Sequence, residues 1–213
     1  MINIEWNQNE LLLCPEKAVY WPSEKMAFVA DTHFGKAVSF WKVGIPVPGN
    51  NTGEDCNRLG ELVKKLGAKS LVILGDFLHA KVSKSKPVRD SLFQWRMNFP
   101  ELKLHLVRGN HDLHAGDPWP ELKFECHSDP WMLGLFDCRH LPVGSACRPY
   151  LAGHIHPSYH LSGKQDSISS PCFVVSPDKI ILPAFGSFTG TMNTTKSDNE
   201  RIFVTDGKEV IEV

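Results

Sequence analysis

The chain has 213 residues, of which 42% are hydrophobic, and its 23 basic residues nearly balance its 24 acidic ones. This length predicts one domain, spanning residues 1–213, with one well-buried core. The balanced charge excludes the global positive field of a strongly basic nucleic-acid-binding domain, so any binding of a polyanion must be local.

The cysteines and the start of the chain indicate the compartment. The six cysteines contain no Cys-x-x-Cys pair, which argues against a zinc ribbon and a thioredoxin-type redox site and predicts reduced thiols in a cytoplasmic protein. The first residues lack the basic and apolar segments of a secretory signal, and no apolar run approaches the roughly 20 residues of a membrane span. We therefore expect neither secretion nor insertion into a membrane.

Four short apolar runs each end abruptly at an acid, an amide or a histidine. The runs cover 26–30, 71–75, 104–109 and 150–153, and the residues that follow them are Asp31, Asp76, Asn110 and His154. Continuous apolar runs of this length predict strands that are covered on both faces. The C-terminal ends of such strands meet at one edge of an α/β sheet, where ligands usually bind.

Helices are predicted between the first runs, and short strands later. One helix begins near Thr52 and carries apolar residues at helical spacing to Leu66; another begins at 85–87 and continues to Pro100. After about Phe124 we predict mostly short strands, separated by turn-rich segments. These strands span 135–138, 172–175, 180–182 and 201–205, and 162–171 is predicted as a polar loop. The pattern favours a βαβ first half and a mostly β second half that share one core.

Five short motifs carry the candidate ligands. They are Asp31-Thr32-His33, Gly75-Asp76, Gly109-Asn110-His111-Asp112, His140 and Gly153-His154-Ile155-His156. Each motif alone is more typical of a turn or a helix cap. A turn, however, has no reason to follow a buried strand each time with an oxygen or nitrogen ligand, so the joint pattern predicts a metal centre. Carboxylate, amide and imidazole ligands without a thiolate suit manganese, iron or zinc and argue against a closed structural zinc site.

Two metal ions are predicted because a rigid carboxylate at a strand end can bridge adjacent cations and offset their repulsion. Asp76 is the candidate bridge. Two divalent ions roughly 3.5–4 Å apart can hold a shared hydroxide, lower its pKa, and clamp a phosphate during in-line attack. The motifs therefore predict a dinuclear metal-dependent hydrolase of phosphate esters, with manganese as the first choice and iron or zinc as alternatives.

The five motifs, in this order, resemble those of the calcineurin-like metallophosphoesterase superfamily. The segments 31–37, 44–48, 75–79, 108–112 and 183–190 resemble the bacterial DNA ligase-associated metallophosphoesterases, which are related to SbcD-type nucleases and linked to DNA repair. The resemblance implies an α/β (α+β) fold: a four-layer α/β/β/α sandwich of mixed sheets with the metal site at the C-terminal strand edge. It also implies a phosphodiesterase or nuclease acting on DNA, with a functional link to a DNA ligase and a helicase.

The resemblance also implies roles for individual residues. It implies two metal shells with one shared ligand: Asp31, His33 and His156 in one, Asn110, His140 and His154 in the other, and Asp76 between them. His127 is an alternative to His140, but the strand-like segment before His140 favours the latter. His111 would stay free of metal and protonate the leaving oxygen or stabilise the phosphoryl charge, with Asp112 orienting it.

Residues beside the metal motifs are candidates for binding the substrate. They are Lys36, His79, Lys81, Lys84 and Arg108. For the lysines the alternative is a solvated surface position, and for His79 it is a hydrogen bond to a loop carbonyl. Two other functions stay open: an enzyme acting on a small nucleotide or other phosphate compound, and a non-catalytic binding scaffold. The complete set of ligands disfavours the scaffold.

Overall fold

Two mixed β-sheets form the centre of the computed structural model, which describes residues 1–47, 49, 51–163 and 167–213. The strands of the first sheet lie side by side in chain order: β1 (Ile2–Trp6), β2 (Asn9–Cys14), β3 (Ala18–Trp21), β4 (Met26–Val29), β5 (Ser70–Leu74), β6 (Lys103–Val107) and β7 (Phe124–His127). The pairs from β1 to β4 are antiparallel, and those from β4 to β7 are parallel.

The second sheet is formed by the later part of the chain. Its strands are β8 (Trp131–Leu133), β9 (Phe136–Cys138), β10 (Tyr150–Ala152), β11 (Pro157–Ser162), β12 (Ser167–Val175), β13 (Lys179–Ile181), β14 (Met192–Thr194), β15 (Arg201–Thr205) and β16 (Val210–Glu212). The order is β14-β11-β12-β13-β10-β9-β8, with β15 on β12 and β16 on β15. Strand β10 runs parallel to both of its neighbours, β9 and β13.

The helices of the described residues lie between residues 36 and 122. They are α1 (Lys36–Lys42), α2 (Asn51–Leu66), α3 (Lys86–Met97) and α4 (Asn110–Ala115), with 3₁₀ turns at Lys81–Ser83 and Pro120–Leu122. The two predicted helices are confirmed as α2 and α3. A proline in the first turn is tolerated in α3, since the first N–H groups of a helix have no partner within it.

The side chains of β5 point alternately to the two faces of the first sheet, which divides the core into two layers. Leu71 and Ile73 face α2 and α3, whereas Val72 and Leu74 face the second sheet, where they pack with residues such as Phe173. These four side chains are fully buried, because the central strand β5 is covered on both faces. The predicted α/β class and the sandwich of two mixed sheets are thus confirmed.

The outer face of the second sheet differs from the predicted fourth layer. Its buried side chains, such as Tyr150 and Ile202, are covered by loop and strand residues including Val143 and Ala146. Every helix in the described part of the chain ends before residue 123. The buried apolar residues of α2 and α3 belong instead to the cluster on the other face of the first sheet, so the layer that these helices form lies on one side of the sandwich.

Other differences from the predicted elements concern local segments. Strands β1 to β3 precede the first predicted strand and were missed. The predicted polar loop at 162–171 is wrong for residues 167–171, which begin β12. Residues 164–166 of that loop lie outside the described residues. So does Pro48 of the 44–48 turn. No helix among the described residues is long and apolar enough to cross a membrane.

Candidate metal centre

The seven predicted ligands come together where both sheets present strand ends. Asp31 and His33 follow β4, and Asp76 and Asn110 follow β5 and β6. The other three histidines follow β9 and β10 of the second sheet. The sheets are joined at this edge by a parallel bridge between Ala30 and Ala184. Parallel strands place their C-terminal ends together, so side chains that are distant in sequence become neighbours.

The ligand atoms form two groups on either side of Asp76. One group contains Asp31, His33 and His156, and the other contains Asp76, His140 and His154, with the ligand atoms of each group within 4.8 Å of one another. Oδ2 of Asp76 lies 3.7 Å from Nε2 of His33. Oδ1 of Asp76 lies 3.5 Å from Nε2 of His140. The carboxylate therefore presents one oxygen to each group, which is the arrangement that a bridging ligand requires.

Asn110 joins the second group. Its Oδ1 lies 2.9 Å from Nε2 of His140, and that same nitrogen lies 3.0 Å from Nδ1 of His154. His127, the alternative to His140, lies elsewhere, beside His105. The structure thus places His140 with the other candidate ligands.

Unpartnered polar atoms show that the site fits a cation. Oδ1 of Asp31 and Nε2 of His156 are buried, have no hydrogen-bond partner among the described residues, and lie 3.6 Å apart. Nδ1 of His156 donates to the carbonyl of Gly190 (3.0 Å), because a carbonyl can only accept. Nε2 therefore keeps its lone pair beside a carboxylate oxygen, and a metal ion would satisfy both atoms.

Burial sets the charge of the site. It lowers the pKa of His33 to about 2, with a further contribution from the neighbouring His111 and His156. It also lowers the pKa of His154 and raises the pKa of Asp76. His33 and His154 are therefore neutral at pH 7, which is the form of an imidazole that coordinates a metal.

The backbone is strained at five of the predicted ligands. The φ angles are 53° at Asp31, 44° at His33, 54° at Asp76, 70° at His154 and 48° at His156. Residues other than glycine seldom adopt the left-handed region, and such positions cluster at functional sites.

Two glycines in the motifs leave space for the carboxylates. A Cβ atom on Gly153 would lie 2.5 Å from Oδ2 of Asp31, and one on Gly109 would lie 2.6 Å from the backbone N of Asp76. The Gly109-Asn110 and Gly153-His154 pairs therefore have a packing reason, since the backbone must approach Asp76 and Asp31 closely.

His111 faces the site without belonging to either ligand group. Its Nδ1 donates to the carbonyl of His79 (2.5 Å), and its Nε2 lies 3.9 Å from Oδ2 of Asp76. The His79 ring stacks on the His111 ring at a centroid distance of 4.8 Å, and Nδ1 of His79 lies 3.4 Å from Nδ1 of His33. Both rings thus border the ligands, with Nε2 of His111 turned towards them.

Asp112 requires a correction. Its carboxylate does not orient the His111 ring but accepts hydrogen bonds from four backbone N–H groups: Gly109 (2.9 Å), Asp76 (2.8 Å), Phe77 (3.0 Å) and Leu78 (3.4 Å). Successive side chains of a helix point about 100° apart, so Asp112 points into the fold while His111 points towards the candidate metal centre. Asp112 thereby fixes the loop that carries Asp76.

Two predicted substrate-binding cations are directed elsewhere. Arg108 makes a bidentate ion pair with Asp117 (2.7 and 2.8 Å), and Nζ of Lys84 donates to the Asp117 carbonyl (2.8 Å). Their assignment to the substrate is therefore corrected. Lys36 opens α1 beside His33 and is half-buried, which lowers its pKa, and Lys81 is exposed. These two remain candidates.

Supporting contacts were missed by the sequence analysis. Asp55 of α2 accepts hydrogen bonds from the backbone N (3.1 Å) and Oγ (3.2 Å) of Ser187, in the loop whose Gly190 carbonyl holds His156. Asp129 accepts a hydrogen bond from the backbone N of His140 (3.1 Å). The contact between Asp55 and Ser187 joins segments 132 residues apart and leaves no local sequence signal.

Comparisons with known proteins agree with this geometry. A family model described as calcineurin-like phosphoesterase matches residues 25–184. The solved structure of Pseudomonas putida nuclease MPE is 36% identical, with a TM-score of 0.87 over 100% of this chain and 99% of that chain. Yfce, a phosphoesterase from E. coli, is 15% identical with a TM-score of 0.40, over 88% of this chain and 97% of that one. Comparison with curated protein sequences found no match.

The matched segment contains all five motifs, from Asp31 to His156, and both β-sheets of the sandwich contribute to it. The similarity to the Pseudomonas nuclease extends over the whole chain, including the strands outside the matched segment. The chain therefore belongs to the calcineurin-like phosphoesterase family.

Proposed function

We propose that the protein is a nuclease that hydrolyses phosphodiester bonds of DNA with two divalent metal ions. The observation that carries the proposal is the position of the Asp76 carboxylate, with one oxygen facing each group of ligands. The two shells would be those that the family resemblance implies. They comprise Asp31, His33 and His156 on one side, Asn110, His140 and His154 on the other, and Asp76 between them. Manganese, iron and zinc all suit this mixed set of oxygen and nitrogen ligands, and we propose manganese as the native metal.

The bound ions would supply Lewis acidity and a hydroxide nucleophile at neutral pH. The side chains around them have complementary tasks. His111, held by the carbonyl of His79, would place Nε2 beside the phosphate to donate a proton to the leaving oxygen or stabilise the phosphoryl charge. Asp112 would hold the amides of the Asp76 loop, and thus the orientation of the bridging carboxylate.

The similarity to the Pseudomonas nuclease supports a nucleic acid as the substrate. Lys36, beside the first ligand group, and Lys81, on the 3₁₀ turn after the second motif, are the candidates for phosphates next to the scissile bond. We further propose a cytoplasmic role in DNA repair, with a functional link to a DNA ligase and a helicase. The sequence resemblance supports this role.

Rates with three substrates in the presence of manganese test the proposal. These are single-stranded DNA, bis(p-nitrophenyl) phosphate and p-nitrophenyl phosphate. We expect cleavage of DNA and of the diester, and loss of both activities in Asp76→Asn, while Asp117→Asn, which alters a nearby surface carboxylate, stays active. Hydrolysis of the monoester alone would favour an enzyme of small phosphate compounds. Full activity in Asp76→Asn would overturn the two-metal proposal.

Salt dependence tests the DNA contacts separately. Lys36→Ala and Lys81→Ala should weaken DNA cleavage and flatten its dependence on salt by roughly 0.7 in log–log slope per lost phosphate contact. Lys86→Ala is the matched control, because Lys86 already pairs with Asp90 (2.8 Å) on the surface of α3. Equal effects of all three substitutions would argue against a specific DNA path.

A further inference from the structure

A second histidine cluster lies on the edge of the first sheet, apart from the candidate metal centre. His105 in β6 is paired in register with Glu125 in β7, and His127 follows two residues later in β7. Because side chains alternate along a strand, these three point to the same face, towards the second sheet. None of them belongs to the two ligand groups around Asp76.

The distances within this cluster match a metal shell. Nδ1 of His105 lies 3.2 Å from Nε2 of His127 and 3.4 Å from Oε2 of Glu125. One ligand atom from each of the three residues lies within 4.8 Å of the others. Two ligands bound about 2.0–2.1 Å from a tetrahedral zinc ion are separated by about 3.3 Å. The side chains therefore need little movement to bind an ion.

Trp131 forms a wall of the cluster. Its indole stacks on the His127 ring at 4.0 Å with an interplanar angle of 8°, and on the His105 ring at 5.0 Å and 22°. This stack fixes the planes of both imidazoles before any ion binds, which reduces the entropy lost on binding. Burial also lowers the pKa of His105 and of His127, so both rings are neutral at pH 7.

The remaining side of the cluster is open. His105 is 8% exposed, whereas Glu125 is exposed and borders a groove of about 410 Å³ that Glu24 and Lys103 also line. An ion held by the three side chains would keep a fourth position for water or an anion from this groove.

We propose that His105, Glu125 and His127 form an additional metal site that prefers zinc and binds one ion per chain. Two imidazoles and one carboxylate are a ligand set that zinc accepts, whereas calcium and magnesium prefer oxygen ligands alone. This site is independent of the proposed function, because it shares no ligand with the candidate metal centre. The alternative is a hydrogen bond between the two histidines without a metal.

Metal counting on the manganese-loaded protein tests the site. After dialysis against a zinc buffer, total manganese plus zinc per chain would be measured by mass spectrometry. Glu125→Gln and His127→Gln should each hold about one ion fewer than the wild type. Glu24→Gln, in the same groove, and His160→Gln, an exposed histidine on β11, are matched controls that should bind as much as the wild type.

Two outcomes separate this proposal from that for the catalytic centre. Asp76→Asn should lose ions from the candidate metal centre. The double variant Asp76→Asn/Glu125→Gln should then hold about one ion fewer than Asp76→Asn alone. Equal metal content in the wild type, Glu125→Gln and His127→Gln would overturn the additional site, whatever the activity of the enzyme. Glu125→Gln keeps the test decisive if His127→Gln fails to fold, since the Glu125 side chain lies on the surface.

Discussion

Replacing Asp112 by asparagine should destabilise the protein and weaken metal binding together. The Asp112 carboxylate accepts four backbone hydrogen bonds, two on each oxygen. Asparagine keeps one acceptor oxygen, and its NH₂ group would face two N–H donors. A hydrogen bond to a buried charged group contributes about 1.5–3 kcal/mol, and because such losses are not additive we expect a destabilisation of about 2–4 kcal/mol.

Urea unfolding of the metal-free protein measures this loss of free energy, and a manganese titration measures the accompanying loss of affinity. Asp117→Asn is the control, because that exposed carboxylate pairs with Arg108 on the surface and should change stability by less than about 1 kcal/mol. If Asp112→Asn kept wild-type stability and metal affinity but altered the pH profile of turnover, Asp112 would act on His111 after all. The positioning role assigned to Asp112 would then be refuted.

Three further predictions concern the centre itself. Gly109→Ala should lower metal affinity and the free energy of unfolding by roughly 1–3 kcal/mol, because its Cβ would lie 2.6 Å from the Asp76 backbone N. Gly144→Ala is the control: a Cβ there meets no atom within 4 Å, so stability in urea and metal affinity should not change. In the metal-free protein, the pKa of His33 is about 2 in the fold against an ordinary 6.5, so the unfolded chain takes up the proton first as the pH falls. His33 should therefore lower the free energy of unfolding by about 2 kcal/mol between about pH 8 and 5. Urea unfolding at several pH values should show a smaller drop in His33→Asn than in the wild type. His111→Gln should retain its metals but lose roughly 10²–10⁴ in turnover, with a smaller loss for p-nitrophenolate leaving groups; loss of metal would contradict its proposed role.

The strand ends could be predicted because burial and chemistry leave local marks in the sequence. An apolar run ending at Asp31 or Asp76 identifies both the central strand and the residue at its end, and β4 and β5 occur within one residue of the predicted bounds. Strand β1, which was missed, also carries a local signal in the sequence. Ile2, Ile4 and Trp6 alternate with polar residues, as expected for a strand with one buried face.

The partners of charged side chains could not be predicted in this way. Nothing in the sequence shows that Arg108 pairs with Asp117, since a helix and a turn must first bring the two together. The same limit applies to Asp112, whose hydrogen-bond partners lie mostly in another loop. Adjacency to His111 in the chain suggests a contact that the helical direction of the side chains prevents.

The left-handed backbone at Asp31, His33, Asp76, His154 and His156 sets a limit on how far this enzyme can be made heat-resistant. Each such position costs of order 1–2 kcal/mol in a residue that has a Cβ atom. A selection for thermal tolerance alone would therefore favour glycine or asparagine at these five positions, and every gain would remove one of the proposed ligands. Variants selected for stability without regard to activity should accumulate substitutions at these positions first. A screen that also selects for metal binding is needed to keep the five residues unchanged.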